Sequence, residues 1–151
     1  MPGYKGHLTG AIVFMFLVMG TSLLIVDNIF YFFLALLGVS AGGLFPDIDT
    51  GSKGRKYFMV GAGVALISTM VAELHGIACF IALLMVFPFC VRHRGIFHSF
   101  IFLSILVAGC TFLAIHYFPA FEAQIEWFGL WFYLGICSHL YLDFGWMFLR
   151  R

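Results

Sequence analysis

Arg92-His93-Arg94-Gly95-Ile96-Phe97-His98-Ser99 crowds two imidazoles and two guanidinium groups into one short stretch of an otherwise oily sequence. Further side chains of the metal-binding kind stand at His7, Asp47, Asp49, His139 and Asp143. Imidazole nitrogens mixed with carboxylate oxygens suit Zn²⁺, Mn²⁺ or Fe²⁺. One catalytic zinc takes about three protein ligands. The seven candidates, His7, Asp47, Asp49, His93, His98, His139 and Asp143, therefore predict two or more ions, or one ion with carboxylates orienting its imidazoles. Water on such a centre is acidified towards neutrality and becomes a nucleophile, and the metal stabilises the attacked phosphoryl or carbonyl oxygen. His139 and Asp143 are spaced i, i+4 and share one helix face, as two ligands of one cluster must. Asp47 and Asp49 follow Pro46 in a turn closed by Thr50-Gly51-Ser52, where the proline ends or bends a helix.

These groups must be positioned by elements that live in lipid. Hydrophobic residues make up 63% of the chain and charged residues 10%, against about 45–50% and about 25% in soluble domains, and the mean hydropathy is +1.06. That composition predicts an integral membrane protein, one all-α domain over residues 1–151. The apolar runs lack the alternation of barrel strands, so a polytopic helix bundle is expected. Runs at 8–26, 29–45, 57–72, 77–91, 97–118 and 127–149 give six segments. The first exceeds the apolar core of a signal peptide, about 7–15 residues, and reads as a retained helix. The third and fourth, at about 15 residues each, reach only about 22 Å against about 30 Å of hydrocarbon. They are expected to cross a thinned bilayer or to form a re-entrant hairpin.

Charge sets the orientation. Lys5, then Lys53, Arg55 and Lys56, then Arg92 and Arg94, then Arg150 and Arg151 all fall on one face of this topology, while Asp27, Glu73, Glu122 and Glu126 fall on the other. Retention of positive charge puts the first face, with both termini, in the cytoplasm. All seven candidate ligands collect there, with His98 beginning the fifth helix and Gly95 bending the chain so that His93 and His98 can face one centre. His75 and His116 map to the opposite side and are excluded. Taken singly, the residues have plainer readings: a capped turn for Asp47 and Asp49, a basic surface loop around His93, an interhelical hydrogen bond for His139 and Asp143. Their convergence on one leaflet favours the metal site. Cys79, Cys90, Cys110 and Cys137 lie in apolar runs without C-x-x-C spacing and are expected to be buried thiols. Gly6 and Gly10, Gly38 and Gly42, with Gly61, Gly63, Gly129 and Gly135, are candidates for close helix packing. The formal charge of +1 gives no reason to expect a nucleic-acid partner.

The blocks Gly6-His7-Leu8-Thr9-Gly10, Leu44-Phe45-Pro46-Asp47-Ile48-Asp49, His93-Arg94-Gly95-Ile96-Phe97-His98-Ser99 and Ser138-His139-Leu140-Tyr141-Leu142-Asp143 resemble the signature blocks of the YdjM-like family. That family is described as LexA-regulated, membrane-bound, metal-dependent hydrolases, distantly similar to zinc-dependent phospholipase C and the P1-type nucleases. The first block departs from the family in having Gly6, not Thr, before His7. The resemblance implies phosphoester hydrolysis on a zinc centre of two or more ions, at the cytoplasmic leaflet of the inner membrane, with a lipid headgroup or another membrane-associated phosphoester as substrate. Asp49 is the expected proton donor to the leaving group, and Arg92 and Arg94 the expected anion-holding residues, joined less directly by Lys53, Arg55 and Lys56. The rival readings are a metal or proton transporter, which would place such groups near the midplane on broken helices, and a non-catalytic membrane protein with a structural metal site.

Overall fold

The computed structural model describes residues 3–21, 28–91 and 95–149, with side chains as far as Phe144. Six α-helices follow one another: α1 (Tyr4–Gly20), α2 (Ile29–Leu44), α3 (Lys53–Val71), α4 (His75–Cys90), α5 (Phe100–Tyr117) and α6 (Glu122–Leu149). Short 3-10 turns sit at Phe45–Asp49, Ile96–His98 and Pro119–Phe121. There is no strand among the described residues. Among the described residues two segments, Ile29–Asp49 and Phe100–Tyr117, are long and apolar enough to cross a membrane.

The helix ends are set by local chemistry. The Asn28 side chain accepts from the Phe30 N–H and starts α2, and Ser52 accepts from the Arg55 N–H and starts α3. The Ser52 cap carries α3 four residues further back than expected, through Lys53–Lys56. At 19 residues α3 is about 28 Å long, but its first turn is the cationic Lys53–Lys56, and its apolar part is as short as expected. The fourth helix, with 16 residues, is short as well, at about 24 Å. The fifth helix begins at Phe100, because Ser99 caps it by accepting from the Phe102 N–H. His98 accordingly precedes the helix and lies in the 3-10 turn instead of beginning α5.

The tightest pairing is α2 against α6, with α1 packed on both and α5 on α6. Glycine makes this possible. A Cβ at Gly42 would run into the Phe132 carbonyl, and one at Gly135 into the Val39 carbonyl. A Cβ at Gly38 would lie 3.0 Å from the Phe128 carbonyl oxygen. The backbones therefore approach as small residues allow between membrane helices. Gly61 and Gly63 behave differently from expectation: an added Cβ at either meets nothing within 4 Å, so neither serves helix packing. Ala11, Met15, Ala35, Val39 and Trp131 form one core where α1, α2 and α6 meet. Ile48, Phe97, Leu103, Ile136 and Leu140 form a second, where the Phe45–Asp49 and Ile96–His98 turns meet α5 and α6.

The α3–α4 hairpin contacts the bundle chiefly through the Phe45–Asp49 turn. Lys53 Nζ donates to the Tyr4 hydroxyl at 3.2 Å, and the Arg55 guanidinium lies over the Phe89 ring at 5.1 Å. These contacts bring the starts of α1 and α3 and the end of α4 to one end of the molecule. Trp127 Nε1 donates to the Tyr31 carbonyl at 2.9 Å at the other end. The thiols differ from expectation: all four are free, but Cys79 and Cys90 are exposed and Cys110 and Cys137 half-buried. An apolar run on a helix with a free outer face presents some of its side chains outward, and lipid does not require them to be polar.

Candidate metal centre

His7, Asp47, His98, His139 and Asp143 come together at the α1-start end, carried by α1, the Phe45–Asp49 and Ile96–His98 turns and α6. Two overlapping triples have ligand atoms within 4.8 Å of one another: His7 with His139 and Asp143, and Asp47 with His98 and His139. His139 Nε2 is 3.8 Å from Asp47 Oδ1 and 3.7 Å from Asp143 Oδ2. His98 Nε2 is 3.9 Å from Asp47 Oδ1 and 3.5 Å from Asp143 Oδ2. On the other side of Asp143, Oδ1 is 3.4 Å from His7 Nε2. The His7 and His139 rings stack at 3.8 Å between centroids, and the His98 ring meets His139 edge-on at 5.7 Å.

These separations are too long for hydrogen bonds, yet the atoms are aimed at one another. Among the described residues His7 and His139 are buried, at 2% and 0% exposure. His7 Nδ1 and His139 Nε2 have no hydrogen-bond partner. A buried polar atom left unpaired is costly. Ligands of a tetrahedral zinc at about 2.0–2.1 Å lie about 3.4 Å apart, and the four imidazole–carboxylate separations of 3.5–3.9 Å are close to that spacing. The donor set and the unpaired nitrogens both fit a divalent metal ion.

One contact orients the set. His139 Nδ1 lies 2.8 Å from the Gly43 carbonyl, so Nδ1–H donates there and Nε2 is left as the metal-facing nitrogen. The carbonyl is available for a local reason. In the 3-10 register of Phe45–Asp49 the residue three beyond Gly43 is Pro46, which has no N–H. Because Gly42 and Gly135 let α2 and α6 close up, the imidazole reaches that carbonyl directly. Gly43 was not among the candidates from sequence; a proline three residues after a glycine in a small-residue helix was the signal.

The carboxylate turn is equally fixed. The Asp47 carbonyl accepts from the Thr50 N–H at 3.2 Å, the Thr50 hydroxyl at 2.8 Å and the Ser52 hydroxyl at 2.9 Å, so the turn is locked while the Asp47 carboxylate faces the imidazoles. On the other turn Phe97 is the anchor, 1% exposed, with ring neighbours Phe45 at 5.9 Å, Phe87 at 5.6 Å and Phe102 at 5.9 Å. Burial of Phe97 aims the next residue, His98, into the cluster. The Asp47 side chain, 23% exposed, and His98, 11% exposed, form the open side.

Asp49 is half-buried at the end of the same turn and belongs to neither ligand triple. Arg92, His93 and Arg94 lie outside the described residues. Lys53 and Lys56 are exposed and Arg55 is half-buried beside this end. His75 and His116 are exposed on α4 and α5, away from the cluster. A cavity of about 830 Å³ lies between α5 and α6 towards Glu126 and Trp127, and no histidine lines it.

Neither the curated proteins nor the solved structures include a match to this chain. A family model described as YdjM inner membrane protein matches residues 1–148. With nearly the whole sequence inside that match, the chain belongs to the YdjM inner membrane protein family and is a membrane protein.

Proposed function

We propose that this protein is a multi-pass, membrane-embedded, metal-dependent hydrolase of a phosphoester, with its site and both termini on the cytoplasmic side of the inner membrane. The observation that carries the reading is the buried meeting of His7, His98, His139, Asp47 and Asp143 from separate elements, with the His139 tautomer set by Gly43. Intramembrane ionisable groups are expensive and are kept where they work. The one-sided position of the cluster, with Lys53, Arg55 and Lys56 at the same end, supports hydrolysis at a leaflet over transport through the midplane.

Asp47 Oδ1, His98 Nε2, His139 Nε2 and Asp143 Oδ2 would hold the first ion, which we assign as zinc from the imidazole and carboxylate donors. His139 has one nitrogen left after its bond to Gly43, so it serves one ion at a time. His7 and Asp143 would contribute to a second ion, together with His93 as the sequence expects. A bound divalent ion supplies an acidified water and neutralises charge on the phosphoryl oxygens. The chain's own residues do the rest. Arg92 and Arg94 are the residues we assign to hold the anionic group by charge-assisted hydrogen bonds, with the half-buried Asp47–His98 side as its entrance. Asp49, two residues beyond a ligand and outside the ligand triples, gives its proton to the leaving oxygen.

The test is metal analysis of the detergent-purified protein beside His98→Ala and Asp143→Ala, with phosphodiesterase activity followed in parallel. Wild type is expected to retain about one or more zinc per chain, and each variant to lose most of it together with activity. Metal near zero in all three proteins would end the proposal.

A further inference from the structure

A second cavity, about 430 Å³, lies between α2 and α3. Its walls are Leu37, Ala41 and Leu44 on α2 and Gly61, Ala62 and Ala65 on α3. Two features of α3 create it. The helix is tied to the bundle at the Phe45–Asp49 turn, where Gly54 comes so close that a Cβ would lie 2.9 Å from the Leu44 carbonyl oxygen. Beyond that point α3 turns small residues towards α2, and Gly61 faces open space. The lining from Gly54 to Ala65 runs about 16 Å along the helix, about half of a 30 Å hydrocarbon layer. The cavity therefore has the depth of one leaflet.

Its two ends differ in chemistry. The deep part is apolar, whereas Lys53, Arg55 and Lys56 share the first turns of α3 with the lining residues Gly54 and Tyr57. The narrow Gly54 end thus lies beside a cationic helix turn, and the adjoining wall includes Phe45 and Ile48 from the same turn that carries Asp47. An apolar slot one leaflet deep, with a cationic collar beside a ligand turn, matches an anionic lipid: chain inside, phosphate at the rim.

We propose that the α2–α3 cavity is the acyl-chain subsite for an anionic phospholipid whose phosphate lies at the Lys53–Lys56 collar, next to the metal ligands. This rests on the hydrolase reading only for the fate of that lipid; the binding itself does not need the metal. The experiment uses full-length protein in phosphatidylcholine nanodiscs doped with phosphatidylglycerol carrying a diazirine near the chain end. Adducts are expected on Ala41, Ala62 and Ala65 in preference to the exposed Ile101 and Ile105 of α5. Gly61→Leu should lower cavity labelling about tenfold, a loss of ~1.4 kcal/mol. Gly63→Leu, on the same helix and equally unobstructed but outside the lining, should leave it unchanged. Both variants should keep the wild-type metal content. Labelling spread evenly over α3 and α5, equal effects of the two leucines, equal labelling by a phosphatidylcholine analogue of the same chain, or chain-to-chain adducts at the cavity would each overturn the proposal. Cavity labelling in a protein that binds no metal would sink the hydrolase reading and leave the lipid site standing.

Discussion

At the scale of single residues, the decisive pair is His139 and Gly43. An imidazole with both nitrogens free to rotate is a poor anchor for an ion, and the carbonyl at 2.8 Å removes that freedom. Pro46 matters because of the N–H it lacks. Pro46→Ala would supply a backbone donor in reach of the Gly43 carbonyl and set it in competition with His139. Zinc affinity, measured by chelator competition, should then fall about 10–100-fold, the usual effect of losing such an outer contact. Unchanged affinity would show that the proline has no part in orienting the ring. The residue pairing His139 and Asp143 was legible from their i, i+4 spacing. The Gly43 contact was not, because a main-chain carbonyl carries no mark of its identity and its partner is 96 positions away.

Elements enter through the two 3-10 turns. Each presents an aromatic residue to the core and a ligand to the site: Phe45 and Asp47 on one, Phe97 and His98 on the other. Phe97→Ala would empty the space between the Phe45, Phe87 and Phe102 rings, a truncation costing about 3 kcal/mol or more. The turn would lose its anchor before the helices lost their fold. The expected result is near-wild-type helix content by circular dichroism with most of the bound metal gone. If Phe97→Ala kept its metal, His98 would have to be held by something other than the aromatic cluster. The apolar runs located the bodies of α5 and α6, but not that α6 begins at Glu122, five residues before its run, nor that His98 precedes α5, since only the Ser99 cap decides where that helix begins.

Across the whole molecule, alternating helix direction gathers the starts of α1, α3 and α5 with the later part of α6. This end contains Lys53, Arg55, Lys56 and the ligand cluster, and Glu122 and Glu126 stand at the other. The charge asymmetry predicts that the ligand end faces the cytoplasm. Lys53→Cys and Glu122→Cys, in a background lacking the four native cysteines, test it with a maleimide that cannot cross membranes. Lys53→Cys should react in inside-out vesicles and not in spheroplasts, and Glu122→Cys the reverse. Reaction of both from one side would refute the arrangement of helices across the membrane.

The sequence by itself determined the helical class, the approximate segments and the chemistry of the candidate ligands, because hydropathy and side-chain type are local properties that lipid reads directly. It also determined that His139 and Asp143 share a face. The tertiary structure decided which candidates meet: His7, Asp47 and His98 with that pair, and Asp49 beside them but outside both triples. It decided as well that Gly42 and Gly135 close an interface while Gly61 lines a cavity. Distances between groups far apart in sequence depend on how closely two backbones can approach, and that depends on both surfaces at once.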